Sequence, residues 1–280
     1  MGQVSFIAGS CFCAVALLTT AVFAAPVQSR IELLGASRTL GNGQPLLLGV
    51  HIEPKPGWKT YWRAPGESGL PPVFLFTAHE NTGPPQIKWP APKRLTLQGL
   101  ESYGYDGPVI FPFFVAPQDK TIPVRLVLQV DYAVCLDICV PEQAVLMLDI
   151  PPGTAMATPD LDRLQASLRR VPRTQDVAGQ PHIATSYITR NGQGVELHVE
   201  ADAHAGFKAP DLFVDGAPDM MFSAPQISYA QERRRAIFRL EATSLNPAQP
   251  ISGQTVILTL VDGENAFEKQ VKLAEQTGTK

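Results

Sequence analysis

Two cysteines, Cys135 and Cys139, stand with three residues between them in Asp131-Tyr132-Ala133-Val134-Cys135-Leu136-Asp137-Ile138-Cys139-Val140-Pro141-Glu142. Thiols at that spacing offer three chemistries: a structural bridge, reversible thiol-disulfide exchange, or thiolate ligation of Cu(I) or Zn. As a staple the pair is weak, because closing so small a loop gains about 2 kcal/mol of chain entropy against about 4.7 for a loop of a hundred residues. On one continuous strand the two residues would lie more than about 12 Å apart, beyond disulfide reach. Pairing therefore requires a bend, with the strand ending near Val134, turning through Leu136-Asp137-Ile138 and returning at Val140. That geometry sets both sulfurs at a strand-end tip that another protein can reach. The carboxylates Asp131, Asp137 and Glu142 surround the pair in sequence with no nearby Lys or Arg, a setting expected to hold the thiol pKa values up. From spacing alone, the structural bridge stays open beside exchange.

Other chemistry finds little support. His51, His79, His182, His198 and His204 are dispersed, none at ligand spacing to the cysteines, and Met220-Met221 reads as a packing pair. No metal and no cofactor are expected, which leaves copper handling as a third reading. There is no hydrolase motif and no phosphate-cradling glycine loop. The block from Gly57-Trp58 through Tyr61-Trp62-Arg63 to Pro71-Pro72 is aromatic and turn-rich; its aromatics suit packing onto a core better than stacking on sugar.

The elements around the pair follow from composition and periodicity. Residues 1–24 contain no charged side chain, run apolar through Ala14-Val15-Ala16-Leu17-Leu18 and end in Val22-Phe23-Ala24, which reads as an export signal cleaved after Ala24. Cys11 and Cys13 would leave with it, so the mature chain holds one cysteine pair in a compartment that permits disulfides. No later stretch is long and apolar enough for a membrane helix. The net charge of −3 and scattered cations exclude a nucleic-acid footprint. Short apolar or alternating runs at 30–34, 45–52, 73–77, 94–98, 109–115, 124–134 and 144–150, separated by Gly, Pro and Asn clusters, predict an all-β sandwich over residues 25–152. Thr158-Pro159-Asp160 opens a short amphipathic helix carrying Leu161, Leu164 and Leu168, within a linker over 153–181. Alternation at 195–200, 227–229, 236–240, 256–260 and 267–273 predicts a second, smaller β-sandwich over 182–280.

These residues resemble a known family, the N-terminal periplasmic domains of DsbD-type thiol:disulfide interchange proteins and their ScsB-like relatives. The resemblance rests on four ordered motifs: Gly57-Trp58 through Pro72, Trp89-Pro90-Ala91-Pro92, Tyr103-Gly104-Tyr105-Asp106-Gly107, and Val130 to Glu142 with its Cys139-Val140-Pro141 run. It spans residues 30–150; the second domain resembles the additional immunoglobulin-like domain of ScsB-type proteins loosely. The resemblance implies an immunoglobulin-like sandwich in the periplasm that passes electrons through Cys135 and Cys139. Cys139 would form the mixed disulfide and Cys135 would resolve it. The implied surroundings are Tyr61, Tyr103, Tyr105, Asp137, Pro141 and Glu142, with the segment 101–105 placing Tyr103 or Tyr105 over the sulfurs. The implied partners are a DsbD- or CcdA-like membrane electron carrier and oxidised periplasmic thioredoxin-fold proteins, as in thiol reduction and cytochrome c biogenesis. A non-catalytic binding or assembly module with a structural disulfide is the alternative. Three features depart from DsbD itself: three residues rather than five between the cysteines, Ser102 in place of an aromatic shield, and no membrane carrier or thioredoxin-like domain, so electrons are expected from another polypeptide.

Overall fold

The computed structural model describes residues 27–276 except 98, 193, 217–218 and 247–249. The export-signal segment, with Cys11 and Cys13, lies outside the described residues. Nine strands form the first sandwich: β1 (Ser29–Gly35), β2 (Leu46–Pro54), β3 (Lys59–Gly66), β4 (Val73–Glu80), β5 (Lys93–Leu97), β6 (Leu100–Tyr105), β7 (Val109–Val115), β8 (Val124–Cys135) and β9 (Cys139–Ile150). A three-stranded sheet in the order β1-β2-β7 faces a six-stranded sheet in the order β4-β8-β3-β6-β5, with β9 on β8. All the pairings are antiparallel.

Strand β8 shows how the sequence builds this core. Its even-numbered residues Val124, Leu126, Leu128, Val130, Tyr132 and Val134 are buried against Leu48, Val50 and Ile52 of β2 and Phe111 and Phe113 of β7. The period of two dictates that side. Phe111 anchors the aromatic part of the core, with ring centroids 5.2 Å from Phe74, 5.1 Å from Trp89 and 5.5 Å from Tyr105. The Trp89-Pro90 pair is thereby explained: the indole packs on Phe74 and Phe111 while the Pro90 carbonyl accepts a 2.8 Å hydrogen bond from the Tyr105 hydroxyl.

The helix α1 (Leu161–Arg169) lies against β7, β2 and β1. Leu164 is fully buried and the Ser167 hydroxyl donates to the Ile110 carbonyl at 2.7 Å. A β-carbon at Gly49 would lie 2.6 Å from Ile110 Cγ2 and 2.7 Å from Leu164 Cδ2, so glycine makes room for the helix.

The second sandwich contains β10 (His182–Asn191), β11 (Gly194–Asp202), β12 (Pro210–Asp215), β13 (Met220–Phe222), β14 (Gln226–Ala230), β15 (Arg235–Ser244), β16 (Thr255–Asp262) and β17 (Asn265–Lys272). One sheet runs β10-β11-β15-β13 with β14 also on β15, and the other runs β12-β16-β17. Strand β12 is covered on both faces: Leu212 and Val214 join the second core, while Phe213 joins the core of the first sandwich. The chain is thus an all-β protein of two immunoglobulin-like sandwiches.

Five strands escaped the sequence reading. β3 and β6 lie in segments read as a turn-rich block and a covering loop, β10 and β12 lie in stretches without a recognised alternation, and β13 contains the Met220-Met221 pair read only as packing residues. The strand expected from Ala144 begins at Cys139.

Gly104 is the tightest backbone approach in the first sandwich, because a β-carbon there would stand 2.1 Å from the Thr60 carbonyl oxygen. Gly104→Ala is expected to cost roughly 1–3 kcal/mol and lower the thermal midpoint by roughly 5 °C. Gly107→Ala, whose β-carbon would meet nothing within 4 Å, should leave it unchanged. Thermal unfolding followed by circular dichroism separates the two.

Candidate functional site

The ladder between β8 and β9 runs unbroken from Val124 opposite Ile150 to Cys135 opposite Cys139, its last rung. Three residues close the turn, with the Leu136 amide donating to the Ile138 carbonyl at 3.1 Å. The two Cα atoms are 4.1 Å apart, the close spacing of an antiparallel pair whose backbone groups point away from each other, and the sulfurs form a disulfide. Pro141 is tolerated two residues on because β9 is an edge strand, where a missing N–H breaks no second ladder.

The period of two also decides which face carries the disulfide. Val134 and Tyr132 point into the sandwich, so Cys135 and Ala133 point to the outer face of the six-stranded sheet. Cys135 is nevertheless fully buried, because Tyr61 of β3 lies over it. Cys139, by contrast, is exposed. Beside it, Leu136 and Ile138 are 40% and 68% exposed, so the turn presents apolar side chains to water next to Cys139.

The Tyr61 hydroxyl stands 2.9 Å from Cys135 Sγ and 3.4 Å from Cys139 Sγ. Disulfide sulfurs carry no hydrogen, so the hydroxyl is the donor to both. Burial pushes the Tyr61 phenol above its ordinary pKa, which keeps the proton in place at neutral pH. The ring is held from outside by the connection between β3 and β4. Gly69 there has φ +140°, and a β-carbon on it would fall 2.3 Å from a Tyr61 ring carbon. Only glycine lets this strap lie so close.

The expected surroundings are distributed differently from the sequence reading. Tyr103 and Tyr105 flank Gly104, which pairs with Tyr61, so both project to the side opposite Tyr61. Tyr103 packs edge-on against Phe213 at 5.1 Å and donates to Glu101 at 3.0 Å, and burial pushes its pKa to about 12. Tyr105 is buried on Phe111. Neither hydroxyl is directed to the sulfurs; the tyrosine that touches them is Tyr61.

The acidic surroundings change in the same way. Glu142 lies on the inner side of β9, three residues from Cys139, and accepts hydrogen bonds from the Ser29 and Tyr132 hydroxyls and the Gln28 amide. Asp131 is held by the Gln143 and Gln129 amides, which lower its pKa. Asp137 sits at the exposed turn and Pro141 on the exposed outer face. Lys59, which the sequence reading passed over, stands directly opposite Cys135 across β3 and β8, its amine donating to the Thr96 carbonyl at 3.0 Å. Sequence proximity misled for Glu142, and strand pairing places Lys59 opposite Cys135. Among the described residues, no three His, Cys, Asp or Glu side chains gather as a metal-binding group.

The disulfide joins a buried residue to an exposed one, with a hydroxyl near both sulfurs. Attack at Cys139 would release the sulfur nearer to that hydroxyl.

Comparison with known proteins concerns the two sandwiches. Residues 34–151 match the family described as thiol:disulfide interchange protein DsbD, N-terminal. Residues 170–276 match a domain of unknown function (DUF8393). No curated protein matches the chain in sequence. The crystal structure of the N-terminal periplasmic domain of ScsB from Proteus mirabilis resembles it with a TM-score of 0.70 and 21% identity, over 92% of this chain and 97% of that one. At that identity the likeness speaks for the shared two-sandwich fold. The first sandwich, with the cysteine pair at the end of its longest hairpin, is an N-terminal domain of the DsbD family of thiol:disulfide interchange proteins.

Proposed function

We propose that the protein is a periplasmic thiol-disulfide relay that takes electrons from a DsbD- or CcdA-like membrane reductase and passes them to oxidised periplasmic proteins of the thioredoxin fold. The observation that carries this reading is the asymmetry of the pair, with Cys139 exposed and Cys135 buried beneath Tyr61. A purely structural bridge gains little here, since the hairpin is already paired along its full length and the small loop adds about 2 kcal/mol.

In the charging step a partner thiolate attacks Cys139 Sγ. A mixed disulfide forms, the bond to Cys135 breaks, and Cys135 leaves as a thiolate that accepts the Tyr61 hydrogen bond. The partner's second thiolate then attacks its own sulfur in the mixed disulfide and releases Cys139. The pair has gained two electrons and the partner has become a disulfide. Delivery reverses the roles: Cys139 thiolate attacks a substrate disulfide, one substrate thiolate departs, and Cys135 attacks Cys139 Sγ to release the second. The hydroxyl acts most strongly on the charged sulfur, because hydrogen bonds to ionised acceptors are about twice as strong as neutral ones.

Cys135→Ser is expected to accumulate mixed disulfides through Cys139 with periplasmic thioredoxin-fold proteins, seen as reducible bands on non-reducing gels and identified by mass spectrometry. Cys139→Ser should give none, because the remaining thiol is buried. Equal blanks from both variants would overturn the relay. The reduction potential of the wild-type pair, read by alkylation in graded thiol buffers, is expected near or above about −250 mV; a value below about −300 mV would favour the structural bridge of a binding module. Tyr61→Phe should lower the potential by about 30 mV, the equivalent of a tenfold change, because the reduced thiolate loses its donor.

A further inference from the structure

Strand β3 carries three consecutive side chains with different duties. Tyr61 touches both sulfurs. Trp62 is fully buried and meets the Phe213 ring of β12 edge-on at 6.1 Å. Arg63 lies over the Trp62 ring at 4.2 Å and is gripped by two carboxylates of the second sandwich, Asp215 at 2.7 Å and Glu268 at 2.6 Å.

The ladder around β3 makes these contacts matter. Its pairing with β8 is confined to Lys59 and Thr60, and its pairing with β6 covers Thr60 and Tyr61, then resumes only at Gly66. Immediately after Tyr61, main-chain pairing therefore lapses, and Trp62 and Arg63 are held by the second sandwich instead. A parallel hold reaches β6. Arg94 of β5 bonds Asp211 at 2.8 and 3.0 Å and the Leu212 carbonyl at 3.0 Å, while also contacting Glu101 and Tyr103. Glu101 exchanges two hydrogen bonds with Glu67, at 2.9 and 2.8 Å, at the start of the strap that presses Gly69 onto Tyr61. Both ends of the tyrosine's support thus trace to residues 211–215 and 268.

We propose that the second sandwich is a positioning element for the disulfide, with Phe213, Asp215 and Glu268 holding β3 so that the Tyr61 hydroxyl stays on the sulfurs. Loosening that hold moves the hydroxyl away from Cys135, weakens its stabilisation of the thiolate and shifts the pair toward the disulfide. These are positioning residues, since none touches a sulfur. The proposal rests on the exchange role given above and assigns to the second sandwich a part in tuning it.

The test measures the reduction potential of the full chain carrying Asp215→Asn with Glu268→Gln, near-isosteric changes that remove the charges gripping Arg63. Phe213→Leu serves as an independent variant that retains an apolar side chain. Each is made in the wild-type and in the Tyr61→Phe background. A threefold to tenfold shift toward the disulfide, about 15–30 mV lower, is expected in the wild-type background and no further shift in Tyr61→Phe. A general loosening of the fold would shift both backgrounds alike, and that result overturns the proposal. So does an unchanged potential in both variants. If the double variant does not fold, Glu268→Gln alone and Phe213→Leu decide by the same criteria. Failure of the exchange role is distinguished by the wild-type protein, through a potential below about −300 mV and no trapped partner, whatever the interface variants do.

Discussion

The face of a β-sheet turned away from its sandwich is normally met by water, and Cys135 is buried on such a face. Everything around it follows from covering that sulfur without sealing its partner. The cover is a single aromatic ring from the neighbouring strand, and the ring needs its own cover, which the Gly66–Gly69 strap supplies at a distance only a glycine permits. Cys139 escapes the cover because it begins the edge strand, with a turn on one side and no further strand beyond it. Burial on one rung of a ladder is thereby made unequal between two residues whose Cα atoms are 4.1 Å apart.

The same constraint explains why β3 is buried on both faces. Thr60 and Trp62 face the sandwich and Tyr61 faces out, yet all three are essentially inaccessible. A strand in that position has no face on which to display the polar half of an alternating pattern. Its charged residues flank the covered run 60–62, as Lys59 beside the disulfide and Arg63 in the grip of the second sandwich. Redox chemistry and domain contact are therefore adjacent in sequence because they flank one covered run of three residues.

This also accounts for what the sequence disclosed. Strands β8, β15 and β16 alternate or run apolar between turn residues, and they were legible as strands of two sandwiches. The bend between Cys135 and Cys139 was legible because disulfide geometry forbids a straight strand there. Strands β3 and β12 were not legible, since the run Thr60-Tyr61-Trp62 and the run Leu212-Phe213-Val214 carry no period when both faces are covered. The tyrosine over the sulfurs was misassigned for a related reason. Tyr103 and Tyr105 belong to a recognisable motif, but pairing of Gly104 with Tyr61 turns them to the opposite side. What that motif supplies here is the absence of a side chain at Gly104, a signal about close backbone approach. Glu142 was misread because nearness along a strand says nothing about which side a residue occupies.

The place of the cysteines at the end of a ladder has a further consequence for how such sites diversify. Residues 136–138 belong to no rung, so their number can change while the strands, the tyrosine and both sandwiches stay in register. Insertion one residue earlier, within β8 or β9, would instead rotate one sulfur to the opposite face and separate the pair. The turn is thus a free parameter and the strands are not. A lineage can reshape the surface offered to its partners by rewriting this short connection, leaving the chemistry beneath it untouched.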